Sequence, residues 1–400
     1  MKILKTLTYL LLFGLLSCGE DEPVIEDIND RLVSFREGHT RAAGLVQGTL
    51  GAFNLDLPLE KVVYPVKSYV VDYETEFMGE TITVSGMAYI PDSLETPFPF
   101  LSFQHGTIAD NASAPTQLFA NNTQHIIYSA MAGAGFIVFV PDFVGFGASV
   151  DLMHPYYVEE PSAAVVVDGL RAAYDLTEEL GITTSPKTYL AGYSQGGYVT
   201  MAAHKYFEEQ EVDYFELKAS FPSSGGYELN EMLSYFQQLD VYDQPFFLAY
   251  IAESYRQERE FSTDVLSSVF NSPYDDLVVD VFDGQRNGGQ INKLLNDTIS
   301  VLLTDKFINN SSSEELSDIT EELEENSLLG WTPGIPMYMY HGDADVTVPF
   351  YTSTLTYDHF VENGSTVMSF QSFEGATHYT GFLPYLETFL KDLVEVEGLR

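Results

Sequence analysis

From Val66 onward the chain alternates between two hydrophobic patterns. Short, unbroken apolar runs begin at Phe98 ("FPFLSFQHG"), Gly135 ("GFIVFVPD"), Lys187 ("KTYLAGYS"), Leu217 ("LKASFPSSGG"), Ile335 ("IPMYMYHGDAD") and Val367 ("VMSFQSFEGATH"), and each stops at Gly, Asp, Ser or His. Runs of this length, apolar on both faces, are what strands of a parallel sheet covered on both sides require. Between them the apolar positions recur at helical spacing, which predicts helices over about 122–132, 162–180, 195–208, 351–361 and 383–394. Ahead of them, "VKSYVVDYETEF" and "ETITVSGMAYIPD" alternate polar and apolar residues about Met78-Gly79, the pattern of a two-stranded hairpin. The fold class that follows is α/β, with a mostly parallel central sheet and helices on both faces.

The alternation is interrupted between about Glu228 and Trp331, where strand-like runs vanish and Tyr, Phe, Leu and acids recur at helical spacing. A hundred residues between two core strands read as an inserted helical cap. Its later part, "SSSEELSDITEELEEN", carries many acids and no base and reads as a solvated helix face. Tyr235, Phe236, Phe246, Phe247 and Tyr250 either line a pocket for substrate or form the cap's own small core, the commoner role of aromatics at helical spacing.

Composition narrows the class. With 45% hydrophobic residues over 400 positions the chain can bury a large core, and a formal charge of -41 excludes nucleic acid as a bound polymer, since phosphate contacts need a basic surface. No histidine or acid pattern has metal-ligand spacing, and no cofactor is expected. The start, "MKILKTLTYLLLFGLLSCGEDEP", places Lys2 and Lys5 before an apolar run too short to cross a bilayer, as in a secretory signal. Leu15-Leu16-Ser17-Cys18 resembles the lipobox of bacterial lipoproteins, in which Cys18 would carry the lipid. Cys18 is also the only cysteine, so no intramolecular disulfide can form. The acids that follow, from Glu20 to Asp27, resemble a surface-export signal of Bacteroidota lipoproteins. The expectation is an envelope protein anchored through Cys18, in the outer membrane and facing outward. The boundaries are then 1–17 signal, 18–39 acidic tether, 40–227 first part of the core, 228–331 cap and 332–400 second part of the core.

The chemistry concentrates at strand ends. Gly192-Tyr193-Ser194-Gln195-Gly196 fits Gly-x-Ser-x-Gly, led by the strand-like "TYLA" and followed by a helix-forming run, so Ser194 sits on a sharp strand-to-helix turn. The glycines let the chain turn there, and the following helix N-terminus offers unpaired N–H groups to an oxyanion. A serine hydroxyl needs a base, and the base an orienter. Asp345, after "IPMYMY", and His378, after "VMSFQSF", lie at the carboxyl ends of their strands, the edge on which ligands bind in open parallel sheets. Asp343 competes with Asp345, and His359 with His378, but Gly-x-x-Asp-x-x-Val-Pro matches Asp345 and His359 falls within a helix-like run. His105, His204 and His341 read as structural or loop-shaping, and Asp142 as a hydrogen-bond acceptor that fixes a loop.

Together "FQHGT", "PDFVGFGAS", "GYSQGG", "HGDADVTVP" and "GATH" resemble the α/β-hydrolase superfamily over nearly all of residues 40–396, and within it the secretory-lipase type of carboxylic-ester hydrolase. That resemblance implies Ser194 as nucleophile, His378 as general base and then acid, Asp345 as its orienter, and the N–H groups of Gln195 and Thr107 as oxyanion hole. It implies a small-molecule, lipid or polymer ester as substrate. Two alternatives stay open at this point: a serine peptidase of the prolyl-peptidase type, and a surface binding lipoprotein with an inactive site.

Overall fold

The computed structural model of the chain describes residues 31–398 apart from 53–56, 95, 262–263 and 310–315. The signal segment, Cys18 and the acidic run after it lie outside the described residues. Among the described residues nine strands form one sheet in the order β1-β2-β3-β5-β4-β6-β7-β8-β9. They are β1 (Leu32–Arg41), β2 (Val66–Phe77), β3 (Glu80–Pro91), β4 (Phe98–Gln104), β5 (Ile137–Pro141), β6 (Thr184–Tyr193), β7 (Glu216–Ser223), β8 (Met337–Gly342) and β9 (Met368–Phe373). The first three strands run antiparallel, β3 is antiparallel to β5, and every pair from β5 to β9 is parallel. The hairpin between β2 and β3 turns on Met78 and Gly79 at φ 53° and 77°, the left-handed pair of a two-residue turn whose twist matches that of the strands.

Alternation within the strands divides the interior into two cores. Leu101, Phe103, Val138, Val140, Tyr189 and Ala191 face the helices Ala43–Gly51, Thr123–Gly133 and Phe382–Glu397. Their neighbours Phe100, Ile137, Phe139 and Leu190 face the helices Glu159–Leu180 and Gln195–Glu209 on the other side. Because successive side chains of a strand point to opposite faces, an unbroken apolar run is the signature of this double coverage. All of β4 and β5 is buried.

The five predicted helices occur, each with ends within a few residues of the expected ones: Thr123–Gly133, Glu159–Leu180, Gln195–Glu209, Phe350–Glu362 and Phe382–Glu397. The sheet begins earlier than expected. Residues 32–39, read as the end of the tether, form most of β1, and the helix Ala43–Gly51 follows. The reason is physical: β1 is an edge strand whose residues Val33 to Thr40 are all exposed, held by its ladder to β2 and by Ser34 Oγ donating to Asp72, so no buried face marks it.

Between β7 and β8 the chain leaves the sheet at Ser223 and returns at Met337, and the described residues in between form eight helices from Leu229–Phe236 to Ser317–Glu325. This helical insertion, read above as a cap and called so below, has an apolar interior of its own, with Leu233, Phe236, Val269, Leu303 and Phe307 around a void of about 50 Å³. Tyrosine hydroxyls tie it to the core: Tyr157 donates to the Gly225 carbonyl at 2.8 Å, Tyr255 to that of Tyr157 at 3.0 Å, and Tyr198 to that of Asn326 at 2.7 Å. Among the described residues no helix is long and apolar enough to cross a membrane.

Candidate active site

Ser194 sits between β6 and the helix Gln195–Glu209 at φ 60°, ψ −126°, a region that side chains other than glycine rarely enter and that costs about 1–3 kcal/mol. Packing of the neighbouring glycines permits it. A Cβ on Gly192 would overlap the Gly196 carbonyl, and one on Gly196 the Gln104 carbonyl at the end of β4. The turn is therefore wedged between β4 and its own helix, and the Ser194 N–H is tied to the Ser223 carbonyl at 2.9 Å.

The loops after β8 and β9 deliver the partners. His378 Nε2 stands 2.8 Å from Ser194 Oγ, and His378 Nδ1 stands 2.6 Å from Asp345 Oδ2. A carboxylate only accepts, so Nδ1 carries the proton and Nε2 is free to accept from the serine hydroxyl. All three side chains are buried, and the His378 carbonyl accepts from Tyr193 Oη at 2.6 Å, which fixes the loop that carries the ring. Burial pushes the Asp345 carboxyl up, but hydrogen bonds from His341 and His378 and their charge outweigh it and bring the group down to about 2. Its other oxygen, Oδ1, accepts from the N–H groups of Thr347 at 2.9 Å and Val348 at 3.0 Å.

The competing residues are elsewhere. Asp343 is exposed and accepts from the Gly375 N–H at 2.6 Å. His359 donates toward the Leu329 carbonyl at 3.0 Å, and His204 is held between Ser220 and Glu208. Asp142 accepts from Ser85 and from the N–H and hydroxyl of Thr116, as a loop-fixing acceptor should. Among the described residues no group of His, Cys, Asp and Glu is arranged to hold a metal ion.

Ser194 and His378 open onto a cleft of about 320 Å³, walled by His105, Thr107, Tyr128, Phe247 and Phe382 among others, with no Asp, Glu, Lys or Arg among the described residues that line it. Thr107 lines the same cleft as Ser194, Gln195 follows Ser194 in the chain, and no backbone carbonyl accepts from the N–H of either among the described residues. The Thr107 hydroxyl is paired with Tyr156 Oη at 2.9 Å. Of the five cap aromatics singled out above, only Phe247 reaches this cleft. Phe236 faces the cap's own void, and Tyr250 stacks on Tyr156 at 4.5 Å and on Phe282 at 4.4 Å.

Three neighbours of the site were not anticipated from the sequence in these roles. Tyr156 holds the Thr107 hydroxyl. His154 donates from Nδ1 to the Val144 carbonyl at 2.7 Å and accepts from the Gln195 amide, so it pins that side chain. Burial drives His154 down to about 3, which keeps it neutral. His341, expected to shape a loop, lies 3.1 Å from Asp345 Oδ2. None of the three stands in a spacing that marks it: each acts through a contact made by folding.

The secretory lipase family matches residues 112–211, a segment that contains the Ser194 turn. No curated protein matches the chain in sequence. Among solved structures, a protein of Legionella pneumophila superposes with a TM-score of 0.80 at 24% identity, covering 93% of this chain and 99% of that one. The rice cell wall degrading esterase LipA of Xanthomonas oryzae gives 0.80 at 22% identity, over 93% and 98%. Candida antarctica lipase A in its closed state gives 0.65 at 14% identity, over 94% and 86%. These likenesses, with the sheet order and the strand-end placement of the site, establish an α/β-hydrolase fold that is secretory-lipase-like across the serine turn.

Proposed function

We propose that an α/β-hydrolase-fold protein with this site is a serine carboxylic-ester hydrolase, an esterase or lipase working through an acyl-enzyme. One observation carries the reading: the unbroken chain of hydrogen bonds from Ser194 through His378 to Asp345, at the mouth of a cleft without charged side chains. Ser194 Oγ attacks the ester carbonyl carbon while His378 Nε2 takes its proton. The tetrahedral oxyanion is met by the N–H groups of Gln195 and Thr107, and the alcohol leaves with the proton returned by His378. Water then repeats the two steps and frees the acid. Asp345, held as a carboxylate, keeps the ring oriented and offsets the charge that develops on it.

A neutral cleft suits an uncharged ester. It lacks the carboxylates that would hold a peptide's amino group, which leaves the peptidase reading without support. Retention of a strained serine within reach of a base argues equally against an inactive binding protein, because the strain has no purpose without the chemistry. The lipid anchor on Cys18 and the outward-facing envelope location belong to the same proposal and rest on residues 1–27 alone. Incorporation of labelled palmitate into the full-length chain but not into Cys18→Ala tests them.

For the activity, the soluble form starting after Cys18 is assayed on p-nitrophenyl esters from acetate to palmitate, with Ser194→Ala beside it. Turnover that disappears in the mutant supports the esterase, and the chain-length optimum separates a short-chain esterase from a lipase. Equal turnover in both proteins would sink the reading.

A further inference from the structure

His341 is the penultimate residue of β8, four residues before Asp345, and is fully buried. Its ring makes three polar contacts. Nδ1 lies 2.7 Å from Ser353 Oγ, and Nε2 lies 3.1 Å from Asp345 Oδ2 and 3.0 Å from the Val348 carbonyl oxygen. Both neighbours of Nε2 are acceptors without a proton to give, so Nε2 must carry the hydrogen. Ser353, whose hydroxyl can donate, then satisfies Nδ1. This fixes the tautomer without reference to pH, since a doubly protonated ring would donate from Nε2 in the same way.

We propose that His341 is a positioning residue for the reaction: its Nε2–H shares Asp345 Oδ2 with His378, and so sets both where the carboxylate points and how strongly it draws on the catalytic imidazole. The inference rests on the reading of Ser194, His378 and Asp345 given above. Each oxygen of Asp345 is thereby doubly engaged, Oδ1 by two backbone N–H groups and Oδ2 by two imidazoles. A carboxylate oxygen that already accepts from His341 is a weaker partner for the charge that His378 acquires in the transition state. His341 therefore holds the orienter still and tempers it. The other titratable groups facing this pair are Tyr193 from the Ser194 turn, Tyr157 from the loop before the helix Glu159–Leu180, Tyr235 and Tyr242 from the cap, and Tyr379 beside His378. All are pushed up chiefly by burial and stay neutral through the working range.

The direction of the effect separates positioning from mere packing. Without the His341 donor, Oδ2 turns its full acceptor strength on His378, the protonated ring is favoured, and the acid limb of the pH–rate profile moves to higher pH. Three variants test this: His341→Met, which fills the space without donating; His341→Gln, whose amide reaches the Nε2 position; and Ser353→Ala, which leaves Nδ1 without its hydroxyl so that the ring is held less firmly against Asp345, and disturbs packing least. Two readouts are used, kcat and KM against pH on p-nitrophenyl butyrate, and the downfield NMR resonance of the His378 Nδ1 proton against pH, which needs no turnover.

His341→Met should lower kcat about tenfold with KM within about twofold, and move the acid limb and the NMR midpoint upward by about half a unit. His341→Gln should restore both, and Ser353→Ala should fall between. An NMR midpoint and acid limb that stay put in folded His341→Met, or in Ser353→Ala should the former not fold, would overturn the inference whatever happens to kcat. A wild type without Ser194-dependent turnover would instead overturn the proposed function, while the NMR titration would still judge His341.

Discussion

Replacement of Asp345 by Asn is the sharpest probe of the site, because it exchanges one acceptor for a donor in a place where only donors arrive. Four converge on the carboxylate: the N–H groups of Thr347 and Val348 on Oδ1, and His341 Nε2 and His378 Nδ1 on Oδ2. An amide can face only one of these pairs with its oxygen. Backbone N–H groups cannot give up their protons, whereas an imidazole can change tautomer, so the oxygen will stay with Thr347 and Val348. The amide NH₂ then points at the two rings. His378 answers by accepting at Nδ1 and moving its proton to Nε2, the nitrogen that faces Ser194.

With that shift the base is gone while the geometry persists. The expected loss in kcat/KM is about 10⁴-fold, or about 5 kcal/mol of transition-state stabilisation. KM should change little, since the residue does not line the cleft. Stability should fall by about 1–3 kcal/mol, for the His341 N–H that now meets a donor. Initial rates on p-nitrophenyl butyrate, with urea unfolding in parallel, read both quantities. The reasoning fails if Asp345→Asn keeps its activity to within about tenfold. It fails more pointedly if Asp343→Asn, at the exposed acid two residues earlier, is the variant that loses it.

Three further outcomes are expected. Ser194→Gly should be more stable than Ser194→Ala by about 1 kcal/mol, because both lose the hydroxyl but only glycine relieves the backbone at φ 60°; thermal unfolding compares them. Gly196→Ala should cost at least about 3 kcal/mol, since its Cβ would overlap the Gln104 carbonyl where the backbones of β4 and the Ser194 turn are both fixed; a variant with an unchanged melting temperature would contradict this. Asp345 sits at about 2 when folded against an ordinary 3.8, so its contribution is present above pH 4 and lost as pH falls toward 2. The unfolding free energy from urea titrations should therefore drop by about 2 kcal/mol more in the wild type than in Asp345→Asn between pH 5 and pH 2.

The contrast between β1 and β4 explains how far the fold could be read from the chain. Every residue of β4 is buried against one core or the other, so its sequence is an unbroken apolar run that only a doubly covered strand explains. β1 buries only Arg41 of its ten residues, and what holds it is backbone pairing with β2, which any sequence can supply. The same distinction runs through the cap. Its helices were legible from spacing, but spacing reports that an aromatic face is buried, not what it is buried against: Phe236 turned inward, Tyr250 stacked on Tyr156 of the core, and Phe247 reached the cleft.

At the site, legibility divides by how a residue does its work. Ser194, Asp345 and His378 each follow a strand, and the parallel sheet alone carries strand ends to a common edge, so three positions far apart in the chain could be brought together on topology. The residues around them obey no such rule. Nothing in "MYMYHGDAD" distinguishes a histidine that rests under a loop from one that grips the carboxylate four positions on, because the difference lies in which way a tight turn folds the aspartate back. His154 and Gln195 are brought together by a loop of the core packing beneath the serine helix, and Tyr156 and Thr107 by two loops meeting at the cap. Motif spacing thus locates the groups proposed to react, while the groups that would orient them are chosen by packing. That is why a second histidine on Asp345, rather than another strand-end residue, is where the structure adds most to the chemistry that the chain's pattern already implied.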